Sequence, residues 1–349
     1  MIRHRSLSLA RPVALTALLG MFVSAGCSSS DGGGTGGTGG GTGGRGGTAG
    51  TGGTGGTGGG SAALTTYKAC ERDKLQGDFV ITLADTPDGK FTEIQGTMMD
   101  GVDQIRQVKL VKQVGDCRIL QPPEAFMCTP QCDFGNQQCT PTGCTPKPRL
   151  KDVGMMSVTG LKTGTNQLRN IDAVYSNTGD LPFPAFDEGA DLTLQATGNG
   201  GWGPFTLKGW GIAPLNVPTA PVTVQMGQPV TLTWTAPSKP GPTRVLIDFS
   251  INRHGLIDSW LECTVPDTGS FTVTAEMTTE LFKSGVSGFP SVSFTRQSGD
   301  TTTVMSGCTQ LLVRSPVSRD LNVPGIVSCS DDRPCPNNRM CRADLTCAP

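Results

Sequence analysis

Thirteen cysteines and two histidines set the limits on what chemistry this chain of 349 residues could perform. After Cys27 the cysteines fall into even blocks: Cys70 with Cys117; Cys128, Cys132, Cys139 and Cys144; Cys263 with Cys308; and Cys329, Cys335, Cys341 and Cys347. In an oxidising compartment, even and clustered cysteines form a disulfide framework. The simplest expectation is that every block closes on itself, with three pairings open inside each block of four. Zinc is the rival chemistry, because Cys128-x3-Cys132 and Cys139-x4-Cys144 have ligand-like spacing. Such sites need thiols that stay reduced, so no metal and no cofactor is expected here.

Histidine narrows the catalytic options further. His4 lies in the N-terminal segment, which leaves His254 alone downstream. Zinc centres built on two or three histidines, and two-histidine iron sites, are therefore out of reach in one chain. A Ser-His-Asp triad would have to run through His254, and no G-x-S-x-G elbow accompanies it. His254, within Asn252-Arg253-His254-Gly255, reads as a solvated turn residue. Asp267-Thr268-Gly269-Ser270 resembles the catalytic signature of aspartic proteases, which need two such carboxylates sharing a proton. It occurs once, after Pro266, and reads instead as a tight turn in which Asp267 caps backbone amides. Asp100 to Asp103, Asp187 to Asp191 and Asp331-Asp332 lack the acidic ladder of a calcium loop. No catalytic residue is expected, and the chain reads as a non-enzyme. Trp202 and Trp210, each between glycines, form a candidate ligand platform for the apolar face of a sugar, with burial in a core as the competing reading. Trp234 reads as core.

The N-terminus supplies the compartment. Arg3, Arg5 and Arg11 flank an uncharged run from Pro12 to Gly26 that is too short to span a bilayer as a mature helix. That run closes on Val23-Ser24-Ala25-Gly26-Cys27, which resembles a bacterial lipoprotein signal, although Ser24 stands where Leu or Val is usual. The resemblance implies cleavage before Cys27, acylation of its thiol and attachment to a membrane through lipid. Ser28, where an aspartate would mark inner-membrane retention in that family, leans toward the outer membrane or cell surface and leaves retention open. Removing residues 1–26 leaves 25 basic against 29 acidic residues, a net charge of −4. Nucleic acid is thus a poor partner, and a covalent lipid has to do the anchoring.

Residues 28–60 are almost only Gly, Thr and Ser, with Asp31 and Arg45 as the sole charges. Nothing there can be buried to offset the entropy of ordering, so the segment is expected to be a disordered tether spanning roughly 30 Å.

Beyond the tether, strand signals recur at Phe79 to Leu83, Arg106 to Val114, Asp191 to Ala196, Phe205 to Lys208, Val222 to Gln225, Val230 to Trp234, Arg244 to Phe249, Phe271 to Ala275, Ser291 to Thr295 and Gln310 to Arg314. Turn chemistry such as Asp85-Thr86-Pro87-Asp88-Gly89 separates them. Only Glu276 to Val286 reads as a helix. The expected fold class is all-β: two β-sandwich domains and a small stapled tail behind the linker. The expected boundaries are 1–26 signal, 27–63 lipidated cysteine and tether, 64–216 first β domain with the cysteine-rich loop 128–144, 217–325 second domain, and 326–349 tail. Val222 to Trp234 resembles the opening hairpin of an immunoglobulin-like or fibronectin-III-like module. The spacing Cys329-x5-Cys335-x5-Cys341-x5-Cys347 resembles small repeats of cysteine-rich surface lipoproteins of social soil bacteria. These resemblances imply a lipid-anchored envelope protein with a structural, adhesive or ligand-binding role, and an extracellular polysaccharide or envelope protein as partner. The alternative is a polysaccharide-binding accessory protein or a carboxylate-dependent hydrolase.

Overall fold

The computed structural model describes residues 63–348 except 104–106, 123–127, 134, 141, 253, 255–258 and 306. Cys27, the signal and nearly all of the tether lie outside the described residues.

Nearly every element is a strand. One large sheet contains, in spatial order, β3 (Lys109–Val114), β4 (Cys117–Gln121), β16 (Trp260–Pro266), β15 (Thr243–Ser250), β18 (Ser291–Val304), β19 (Gly307–Asn322), β1 (Leu75–Thr86), β2 (Gly89–Met98), β10 (Val174–Ser176) and β9 (Arg169–Ile171). A short strand, β13 (Val222–Thr223), joins β19 in parallel. Two smaller covers lie over this sheet. One is the four-stranded sheet β12 (Phe205–Trp210), β11 (Asp191–Ala196), β7 (Met156–Leu161) and β8 (Gly164–Gln167). The other is the pair β14 (Val230–Thr233) and β17 (Ser270–Val273) together with helix α1 (Ala275–Phe282). A hairpin of β5 (Gln137–Thr140) and β6 (Gly143–Pro146) stands in the cysteine-rich loop.

Period-two alternation builds the layers. In β1, Phe79, Ile81 and Leu83 are fully buried while Val80 and Thr82 face the other side. The first core places these residues against Leu192, Leu194 and Leu207 of the four-stranded cover. In the second core, Val245, Ile247 and Phe249 of β15 pack with Leu232, Met277 and Leu281 of the other cover. In β2, Gly96 is required because a Cβ there would stand 2.0 Å from the Phe79 ring.

The fold is all-β, and each core lies between two β layers. The boundary at 216/217 does not part the two cores, however. β1 to β4, from the first segment, interleave with β15, β16, β18 and β19 from the second in one sheet. The long-range parallel ladder of β1 on β19, from Leu75–Cys308 to Thr82–Arg314, makes this junction. Val222 to Trp234 is not a hairpin either: β13 joins the large sheet while β14 pairs with β17 in the cover. The helix is also shorter than expected. Thr274 caps its start by accepting from Met277 N, and it stops at Lys283 just before Gly285, which takes a positive φ of 84°.

All twelve cysteines downstream of Cys27 are bridged, but two blocks do not close on themselves. Cys70 joins Cys308, and Cys117 joins Cys263. The reason is topological: β4 lies beside β16 with Cys117 opposite Cys263, and β1 starts beside Cys308. The two blocks of four do close internally, first to third and second to fourth: Cys128–Cys139, Cys132–Cys144, Cys329–Cys341 and Cys335–Cys347. In both, the third and fourth cysteines face each other across an antiparallel bridge.

Candidate functional site

The outer face of the four-stranded cover carries a row of neutral polar side chains in register. Thr206 on β12 lies opposite Gln195 on β11, Gln195 opposite Ser157 on β7, and Ser157 opposite Gln167 on β8. Alternation puts Leu194, Val158 and Leu207 inward and turns these four outward. Met155, Thr197 and Pro204 wall one end, so the row floors a shallow open depression. The side chains offer hydroxyl and carboxamide groups without charge, at the roughly 5 Å pitch of neighbouring strands. Such a surface can exchange hydrogen bonds with a neutral polyhydroxyl ligand. Nothing in the sequence motifs marked these residues; the readable signal was the polar half of each alternating strand.

The expected indole platform does not form. Trp202 is buried in the first core, because the Asn199 to Gly203 turn folds it inward, with its amide donating to Asn199 O at 2.9 Å. Trp210 is half-buried and packs against that core. A Cβ on Gly241 would come within 2.2 Å of its Nε1, so the indole lies against the 237–241 turn. Glu188 fixes the same turn by accepting from the amides of Ser238 and Lys239 at 2.8 and 3.1 Å. Trp234 is core as expected.

Asp267 does not act as a simple turn cap. Its carboxylate is buried, accepts from Trp234 Nε1 at 2.8 Å, and pairs with Arg296, whose Nε lies 2.6 Å from Oδ2. A second buried charge group was not anticipated. Glu262 takes Arg72 Nη2 on one oxygen at 2.5 Å and Arg118 Nε and Nη2 on the other at 2.8 and 2.6 Å. Arg72 also lies over the Trp260 ring, 6.0 Å from its centroid. Asp248 stands directly opposite Glu262 across β15 and β16. Both Glu262 oxygens are held by guanidinium groups. Those contacts tie the segment before β1, through Arg72, and β4, through Arg118, to β16.

The sulfur groups with metal-like proximity, Cys128, Cys132 and Cys144 and then Cys329, Cys335 and Cys347, are all committed to disulfides and offer no thiolate. His254 is half-buried; its amide donates to Ser287 Oγ at 3.0 Å and its ring meets the edge of Phe289, 6.4 Å between centroids. Of the acids outside any calcium-type ladder, Asp100 accepts from the Arg149 amide and pairs with Lys151 at 2.9 Å, while Asp331 pairs with Arg333.

No family model matches this chain, and no curated protein matches it. Among solved structures, a chain titled as the crystal structure of chicken CNTN1 FN1–FN3 domains aligns at 10% identity, over 64% of this chain and 71% of that one, with a TM-score of 0.18. A likeness of that size adds nothing to the architecture described above.

Proposed function

We propose that the chain is an exported, lipid-anchored envelope protein, held at Cys27 to the outer membrane or cell surface, whose body is a stapled β scaffold for adhesion or ligand binding. The observation that carries this reading is the complete pairing of the twelve cysteines after Cys27 into six bridges. Such a framework needs an oxidising space, and it agrees with the export signal. The resemblance to cysteine-rich surface lipoproteins of social soil bacteria supports the same assignment. The buried charge groups at Glu262 and Asp267 favour a scaffold over a hydrolase, because their carboxylates are already engaged by arginines.

A second reading places a neutral polysaccharide on the row Thr206, Gln195, Ser157 and Gln167. It is supported by the uncharged hydrogen-bonding groups that this row turns outward in register. The deciding experiment for the anchored reading is intact and peptide mass measurement on protein from its native membrane, with and without reduction. An acylated N-terminal Cys27 and no free thiol is the expected result. An unmodified N-terminus elsewhere, or reactive thiols before reduction, overturns it.

A further inference from the structure

Cys70 precedes β1, and its bridge runs to Cys308 at the start of β19. The segment leading into Cys70 is itself held, with Lys68 N donating to Gly299 O at 2.9 Å and Gln297 Nε2 to Tyr67 Oη at 2.7 Å. From Cys308 the chain runs along β19, which pairs with β18 from Gly307 to Asp320 and on its other side first with β1 and then with β13. Pro316 falls between those last two ladders, where that side of the strand is unpaired. β19 serves both cores: Leu311 and Val313 belong to the first, Leu321 to the second. Past Asn322 the chain enters the stapled tail, which docks by Gly288 N on Asp344 O at 2.8 Å and Phe289 N on Ser328 Oγ at 2.8 Å.

The shortest covalent route from the N-terminal side to the tail therefore leaves residues 71–307 aside and passes through sulfur into β19. We infer that the protein is a mechanical link, in which tension between its N-terminal attachment and its C-terminal module runs along β19, the strand the two cores share, and does not unravel the residues packed around it. The physical reason is the geometry of an extended strand. At about 3.3 Å per residue it is already close to the limit of roughly 3.6 Å that a chain can reach, so tension applied at its two ends gains almost no length. The bypassed residues are fastened at both ends to one point, so none of their ladders is peeled. The source of the force rests on the anchored reading above, but the load path does not.

Single-molecule stretching tests it, with handles fused ahead of residue 28 and after Pro349. The oxidised protein is expected to show only smooth stretching of the segments outside the link, without an unfolding step. The variant Cys70→Ser/Cys308→Ser returns load to the body. Because Cys117–Cys263 still spans 146 residues of the 238 between Cys70 and Cys308, 92 residues are freed. That gives a step of about 300 Å at roughly 3.3 to 3.6 Å per residue. Adding a reductant to the folded wild-type chain during stretching frees all 238 residues, about 800 Å by the same measure, and needs no variant to fold. A step of about 500 Å in the oxidised wild type would mean bridges closed within the blocks Cys70–Cys117 and Cys263–Cys308, and would overturn the inference. So would identical traces before and after reduction. Loss of acylation at Cys27 would remove the anchor while leaving these traces unchanged, which separates the two readings.

Discussion

Arg296 grips Asp267 through two hydrogen bonds, Nε to Oδ2 at 2.6 Å and Nη2 to Oδ1 at 3.1 Å, with the two side chains only 1% and 2% exposed. The same guanidinium reaches Thr235 O at 2.5 Å, tying β18 to the chain leaving β14. Removing one partner of a buried pair leaves the other charge uncompensated. Asp267→Asn is therefore expected to cost about 3 to 5 kcal/mol in urea unfolding. A loss below about 1 kcal/mol would mean the guanidinium finds other compensation. Replacing both partners by apolar residues, as in Asp267→Leu/Arg296→Met, should recover much of the loss.

Tyr175 has a pH signature. Its buried hydroxyl donates to Asp152 Oδ1 at 2.8 Å and accepts from Val153 N at 2.8 Å. Burial first, and the Asp152 carboxylate second, push its pKa above the usual phenol value. The raised value means the folded state favours the neutral phenol, so this stabilisation is whole below about pH 10 and is lost as pH rises toward the folded-state value. In a Tyr67→Phe variant, Tyr175 is the one remaining tyrosine. Its phenolate absorbance should stay flat through about pH 10 and rise only together with unfolding. A normal titration in the folded protein would contradict this.

Asp152 carries the acid-side counterpart. The Gly154 amide and then the Tyr175 hydroxyl hold its carboxyl below the ordinary value. The stability it contributes is present above about pH 4 and is lost as pH falls through the lowered value. Asp152→Asn should flatten the acid limb of a stability-versus-pH curve, and an unchanged limb would exclude Asp152 as its source.

The bridge Cys117–Cys263 closes a loop of 146 residues between directly opposed positions of β4 and β16. Loop-closure entropy puts its contribution at about 5 kcal/mol, with strain and residual structure lowering what is measured. Cys117→Ser/Cys263→Ser should show a lowered thermal midpoint, and an unchanged midpoint would contradict the bridge.

At Gly241 a methyl group has no room, since a Cβ would lie 2.2 Å from Trp210 Nε1. Gly241→Ala should displace the indole, cost about 1 to 3 kcal/mol and shift tryptophan fluorescence. An unmoved spectrum would mean that the turn yields in place of the ring.

For the polar row, Gln195→Ala and Gln167→Ala should leave stability within about 0.5 kcal/mol, as exposed substitutions do. If a neutral polysaccharide binds there, each should weaken it about tenfold, or about 1.4 kcal/mol, by calorimetry. Equal binding by both variants would exclude the row as the contact surface.

The sequence by itself determined the local features. Alternation at Phe79, Ile81 and Leu83, the Asp85 to Gly89 turn and the placing of Trp234 in a core were legible, because each depends on residues a few positions apart. Glu262, between Leu261 and Cys263, and Arg296, in the alternation Val292, Phe294, Arg296, are charged residues at strand positions where burial is expected, which is a sequence sign of buried pairs. β2 was missed because Gly96 breaks its apolar alternation, and Gly96 is there for the Phe79 ring on the neighbouring strand. Only the tertiary structure decided that β1 lies on β19, and with it that Cys70 meets Cys308, that both cores share one sheet and that Trp202 turns inward. Those outcomes depend on which of many similar strands become neighbours across more than two hundred residues. That choice is made by burial summed over whole faces, and no short stretch of chain encodes it.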